Sequence, residues 1–417
     1  PARAPRLAAT TSDRVAAIAL LAVVALLLAF LAAPLAAIGL QALEDNQGRF
    51  VGLANFVSYA QTPALLTSLW NSLWVSALVT LLVVPAAFVS AYALTRSRMP
   101  GKALFRGITL IPLLAPSLLS AISLIYWFGN QGVLKRWLGR FGSDEIYGAP
   151  GIVAAECFAV FPHALMILVT ALTAADARLY EAADSMGTSA LRKFVTVTLP
   201  GAKYGLISAS LVVFTLVVTD FGIPKVIGGN FNVLATDVFK LVIGQQDFQR
   251  GAVVALLLLA PAVLTFAVDH LVQRRQTAML TARAVPYRPK RDPLFDALMG
   301  AWCALVALLM LAMLGMAVFA SFASFWPYNL APSLRHYRLG LFDAEFGEGF
   351  VNSLVMSGGT AVFGTALVFV GAYLVEKTQA PPLLRSGVRQ QGEQPEGVAG
   401  HGGGRGEKIK INPPANP

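Results

Sequence analysis

Residues 71–92 read NSLWVSALVTLLVVPAAFVSAY. Apolar side chains fall on every face of this stretch, so it is neither a one-faced surface helix nor an alternating barrel strand. It is as long as the ~20 apolar residues a helix needs to cross a bilayer. Residues 352–373 read NSLVMSGGTAVFGTALVFVGAY. At an offset of 281, eight of the 22 positions are identical, among them Asn71/Asn352, Ser72/Ser353, Ser76/Ser357 and Tyr92/Tyr373. Working outward without a gap, Phe56 falls on Tyr337 and the apolar run at 15–40 falls on 296–321. A period this long is no solenoid; it predicts a duplicated membrane unit.

Composition agrees. Of 417 residues, 56% are hydrophobic and 13% charged, against roughly 25% charged in a soluble domain. That excludes a soluble enzyme, a disordered chain and a coiled coil. Eight apolar segments are long enough to span, at roughly 15–40, 66–94, 104–128, 150–173, 202–224, 251–272, 296–320 and 350–374. Pro34, Pro85, Pro112, Pro116, Pro162 and Pro261 lie within them, which membrane helices tolerate where neighbours satisfy the freed carbonyls. The first run is too long for a signal-peptide core and is read as a retained helix. The expected fold is therefore an all-α polytopic membrane protein of about eight helices.

With the N-terminus in the cytoplasm, the cytoplasmic segments hold 17 Lys and Arg and the opposite loops nine. This positive-inside bias accounts for the net charge of +10 without a nucleic-acid partner. The expected organisation is a cytoplasmic segment 1–14, a six-helix unit 15–272, a basic cytoplasmic linker 273–295 and two helices of a second copy at 296–375. Residues 376–417, rich in Gly, Pro, Gln and Arg, are expected to be disordered. The repeat suggests that a frameshift or an assembly error replaced the rest of copy two; a natural polar tail is the alternative reading. Cys157 and Cys303 sit in apolar stretches as small buried residues, and four scattered histidines suggest no metal site.

Between the fourth and fifth spans stands DARLYEAADSMGTSALRKFVTVTLPGA, residues 176–202. Asp176 and Glu181 suit the start of a helix. Gly187 interrupts it, Thr188 or Ser189 can cap a second, and Leu199-Pro200 is expected to end that one before the next span. A polar helix–turn–helix lying across the membrane face suits a cytoplasmic partner.

This segment resembles the signature of binding-protein-dependent ABC importer permeases: Glu-Ala-Ala, three residues, Gly, nine residues, Ile-x-Leu-Pro. The matching residues are Glu181, Ala182, Ala183, Gly187, Val197, Leu199 and Pro200, with Val in place of Ile. The resemblance covers about 10–375. It implies a coupling helix seated in a groove of a cytoplasmic ATPase dimer. It also implies an extracytoplasmic solute-binding protein and residence in a bacterial-type inner membrane. The two-copy layout resembles the ferric iron and phosphonate branch, in its fused two-permease form. Stretches 220–248 and 325–337 look most like 2-aminoethylphosphonate permeases.

No Walker-type G-x-x-x-x-G-K-[ST] occurs, so ATP hydrolysis is assigned to a partner and neither an enzyme nor a cofactor is expected. Glu156 and His163, seven apart on one helix face, and Asp220 at a span end are the ionisable candidates for a pathway. Interhelical hydrogen bonding is the competing reading for each. An ion-gradient transporter would leave the 176–200 loop without a purpose, and a lipid-modifying enzyme would need a catalytic cluster that is not visible.

Overall fold

The computed structural model describes residues 11–138, 145–277, 285, 287 and 289–377. The expectation of a disordered tail, most of the N-terminal segment and much of the linker lie outside the described residues. Contacts divide the chain into two units, Leu21–Val368 and the terminal segments Pro1–Leu20 with Phe369–Pro417. Within the second, Leu20 and Leu374 pack with Ala16, Ala19 and Val375.

The long helices are α1 (Val15–Gln41), α3 (Pro63–Arg96) after the short α2 (Ala54–Ala60), and α6 (Ala149–Thr173). Between them lie α4 (Lys102–Leu110), extended as a 3-10 turn through Leu114, and α5 (Ser117–Phe128). Then come α7 (Ala177–Ser185), α8 (Ala190–Thr219), α9 (Gly222–Ile227), α10 (Leu234–Phe239) and α11 (Phe248–Thr277). The chain continues through α12 (Pro293–Phe322), α13 (Arg335–Phe342) and α14 (Phe346–Val375). The protein is an all-α polytopic membrane protein, with one short antiparallel hairpin, β1 (Ala323–Phe325) and β2 (Asn329–Pro332), beyond α12.

Among the described residues seven helices are individually long and apolar enough to span. The 104–128 segment, expected as one helix, is instead two arms bent by 103°. Pro116 explains the break: the residue before a proline is driven out of the helical region, and Ala115 is extended at ψ 143°. The bent pair still crosses. Arg96, at the end of α3, donates to the Leu172 carbonyl at the end of α6 (2.8 Å), so α4 starts at that face. At the opposite face Asn71 donates to the Asn232 carbonyl (2.9 Å) and the Gly148 amide to the Ile227 carbonyl (2.9 Å). Trp326 donates to the Gln131 carbonyl (3.1 Å), which brings the end of α5 to the hairpin that follows α12. Trp127 also donates to the Ala312 carbonyl (3.1 Å) late in α12. Since α6 begins at one face and ends at the other, α4 and α5 together make one passage. With the bent pair taken as one span, the described residues hold eight, the expected number.

Two π turns sit directly before prolines. In Leu28–Ala32 and Phe194–Thr198 the amide of the next residue reaches five residues back, Ala33 to the Leu28 carbonyl and Leu199 to the Phe194 carbonyl. Each widened turn resets the ladder just ahead of Pro34 or Pro200, where an amide donor is missing. Leu199-Pro200 therefore does not end a helix, contrary to expectation; the helix runs unbroken from Ala190 to Thr219.

The core lies between α3, α6 and α8. Val79, Ala87, Ala164, Leu168, Ala209 and Val213 are fully buried there. Small residues let the backbones approach, which is how membrane helices gain packing without a hydrophobic drive. A Cβ on Gly205 would stand 2.3 Å from the Ala171 Cβ. Helix α12 belongs to the same unit: Trp302 donates to Ser90 Oγ (2.8 Å) and the Arg98 amide to Asp296 Oδ1 (2.6 Å).

The element order long helix, short helix, long helix occurs at 15–96 and again at 293–375. One detail recurs at the repeat offset. Ser76 donates to the Ser72 carbonyl at 2.6 Å, and Ser357 to the Ser353 carbonyl at 2.6 Å. The two helices differ in surroundings: α3 is a core helix, whereas no residue in the most apolar window of α14 is buried. Around Gly358 and Gly359 an added Cβ would meet nothing within 4 Å.

Candidate functional site

The 176–200 segment folds as the capping residues dictate. Asp176 accepts the Arg178 amide (3.1 Å) and opens α7. The Gly187 amide returns to the Asp184 carbonyl (3.0 Å) and the Thr188 amide to the Ala183 carbonyl (3.1 Å), closing the helix end. Gly187 takes φ +67°, a left-handed conformation that glycine adopts without a steric penalty. Ser189, one of the two expected caps, accepts the Arg192 amide (3.4 Å) and starts α8.

One face of α7 is anchored and the other is free. Tyr180 and Ala183 are buried, whereas Glu181, Ala182 and Gly187 are exposed. Leu179, Met186 and Leu191 are 59%, 77% and 74% exposed. Val197 is half-buried, and Leu199 and Pro200 are exposed. Of the signature residues, Ala183 thus holds the helix to the body while Glu181, Ala182 and Gly187 lie open.

Sequence reasoning missed the anchor. Buried Arg96 places its guanidinium 4.8 Å from the centre of the Tyr180 ring and 4.5 Å from that of Tyr287. The two rings are 4.7 Å apart, and the Tyr180 hydroxyl donates to Thr198 Oγ1 (3.1 Å). The linker adds a strap. The Ala177 amide donates to the Val285 carbonyl (2.9 Å), the Val285 amide to Asp176 Oδ1 (3.3 Å), and Lys290 Nζ to Asp184 Oδ2 (2.7 Å). Lys193 also donates to Asp184. Hydrogen bonds from Lys193 and then Lys290 hold the Asp184 carboxyl below its ordinary value. Arg96 and Lys290 had counted only as inside-positive charges, and nothing in their spacing distinguishes them.

The pathway candidates are only partly brought together. Fully buried Glu156 faces Asp220, and Glu156 Oε1 has no hydrogen-bond partner. Asp220 accepts the Ser117 hydroxyl (2.9 Å) through Oδ1 and the Ile223 amide (2.8 Å) through Oδ2. It therefore ties the start of α5 to the start of α9. His163, seven residues beyond Glu156, stands about 10 Å further along α6 by helical rise.

Residues 83–278 match the family described as binding-protein-dependent transport system inner membrane component. The chain is 30% identical over 239 residues to the molybdenum transport system permease protein ModB of Mycobacterium bovis, covering 57% of this chain and 87% of that one. It is 27% identical over 196 residues to the ferric transport system permease protein FbpB of Actinobacillus pleuropneumoniae, covering 45% of this chain but only 28% of that relative's length. The fold is similar to a chain in the crystal structure of a bacterial alginate ABC transporter in complex with an alginate pentasaccharide-bound periplasmic protein. That similarity has a TM-score of 0.51 and 15% identity, covering 64% of this chain and 96% of that one. The chain belongs to the family of binding-protein-dependent transport system inner membrane components.

Proposed function

We propose that this chain is the permease subunit of an ATP-driven importer, forming the substrate pathway and coupling to a separate ATPase dimer through the Glu181–Pro200 loop. The observation that carries the reading is the capped helix–turn–helix itself: Tyr180 and Ala183 are buried beneath it while Leu179, Met186 and Leu191 project from it. Exposed apolar residues around a rigid turn suit a groove on a partner. Force on the loop would reach the core through Tyr180, Arg96 and the end of α6. An extracytoplasmic solute-binding protein delivers the substrate at the opposite, α9–α10 face. ATP hydrolysis belongs to the partner.

The proposed substrate is a phosphonate such as 2-aminoethylphosphonate, on the resemblance of 220–248 and 325–337. Ferric iron is the second reading, favoured by the similarity to the ferric permease. The fused two-permease arrangement rests on the 281-residue repeat, the repeated element order and the matched serine bonds. Two ATPase subunits each need a coupling loop. The Glu181–Pro200 loop serves one of them.

The test is reconstitution of this chain with the ATPase and binding protein of a phosphonate importer in proteoliposomes. ATP-dependent uptake of labelled 2-aminoethylphosphonate supports the first substrate. Uptake of labelled ferric iron with the ferric partners, and none of phosphonate, supports the second.

A further inference from the structure

A cavity of about 570 Å³ opens where α3 ends, α4 begins and α6 ends, beside Tyr287. Arg96, Lys102 and Arg106 line it, and among the described residues no lining residue is acidic. Leu94, Leu110 and Val169 form its apolar wall. Arg96 is only 6% exposed, and its Nε has no hydrogen-bond partner although Nη2 is bound to the Leu172 carbonyl. Lys102 donates one hydrogen bond to the Ser97 carbonyl, which leaves two donors on its ammonium group. The carboxylate near Lys102, Asp296, lies outside the cavity lining and accepts the Arg98 amide. Arg106 stands exposed at the rim. A Cβ on Gly107, another lining residue, would meet nothing within 4 Å.

Arg96 carries a buried positive charge that no described lining carboxylate neutralises, which is costly unless an anion balances it. Three cations together with a leucine–valine wall fit an amphiphile whose head is a phosphate oxyanion. The volume suits such a ligand, and basic pockets between spanning helices attract anionic head groups. Free phosphate would satisfy the cations and leave the apolar wall uncovered.

We propose that this cavity is a binding site for the phosphate head of an anionic phospholipid. It goes beyond the transport reading and does not depend on it. Because Arg96 also contacts the Tyr180 and Tyr287 rings, a lipid seated there would bear on the α7 anchor.

The test is native mass spectrometry of the full chain in detergent, titrated with dioleoylphosphatidylglycerol. The expected result is one lipid held in preference to dioleoylphosphatidylcholine. Affinity should fall about thirtyfold in the Lys102→Gln/Arg106→Gln double variant, from the loss of two interfacial cations. Gly107→Leu, which fills the cavity and keeps the cations, should also release the lipid, with an unchanged thermal midpoint showing that the chain is folded. Equal affinity for phosphatidylcholine, or retention of the lipid in both variants, overturns the site. Displacement of phosphatidylglycerol by millimolar inorganic phosphate overturns the lipid assignment in favour of a free-anion site.

Discussion

Lys290 Nζ lies 2.7 Å from Asp184 Oδ2, across 106 residues of sequence. The pair joins the linker, between α11 and α12, to the turn of the proposed coupling loop. Together with Val285 on Ala177 and Tyr287 on Arg96, it makes the linker part of the loop's support.

This strap should be measurable by hydrogen exchange. Tyr287→Ala removes a ring from both Arg96 and Tyr180 and should raise exchange at the Ala177 amide severalfold. Lys290→Ala should act weakly, because Lys290 is 80% exposed and surface ion pairs are screened. The sign with pH follows from Asp184, whose carboxyl is depressed below its ordinary value of 3.8. Its contribution is fully present above that value and is lost as pH falls through the lower folded value. Exchange at Ala177 should therefore show no Asp184-dependent change between pH 7 and pH 5. A step centred in that range would contradict the assignment.

The α6–α8 contact at Gly205 leaves no room for a side chain. Gly205→Val should destabilise the core by about 1–3 kcal/mol, the range for overpacking, and lower the thermal midpoint in detergent. A midpoint equal to that of the unsubstituted chain would mean that α6 and α8 are not packed this closely.

Orientation can be read by cysteine labelling in a chain lacking Cys157 and Cys303. Exposed Asn46 and Asn230 are predicted to react from outside and exposed Ser185 from inside. Labelling of Ser185 by an impermeant reagent added outside would reverse the topology.

The spans were legible because each is apolar on all faces over a bilayer length, as in 71–92. The turn was legible because Asp176, Gly187 and Ser189 act locally, through their own caps and φ. The bend at Ala115-Pro116 carried a local signal in Pro116 itself, but its size, 103°, depends on what packs against each arm. Pro200 misled: whether a proline ends a helix depends on the ladder before it, and the π turn at Phe194–Thr198 is invisible to composition. Arg96 was unreadable for a different reason. Its partners Leu172, Tyr180 and Tyr287 lie 76 to 191 residues away in sequence, so its role exists only in the folded chain. The same holds for Glu156, whose neighbour Asp220 comes from the end of another helix.

The central claim, that the 176–200 loop transmits ATPase closure to the membrane helices, is tested by Gly187→Trp in the reconstituted transporter. An added Cβ at Gly187 meets nothing within 4 Å in this chain. The variant should therefore insert and fold with only the modest penalty of a left-handed residue, while its ring obstructs the partner's groove. The account predicts normal membrane insertion with loss of substrate-stimulated ATP hydrolysis. Full stimulation and normal uptake by Gly187→Trp would contradict it.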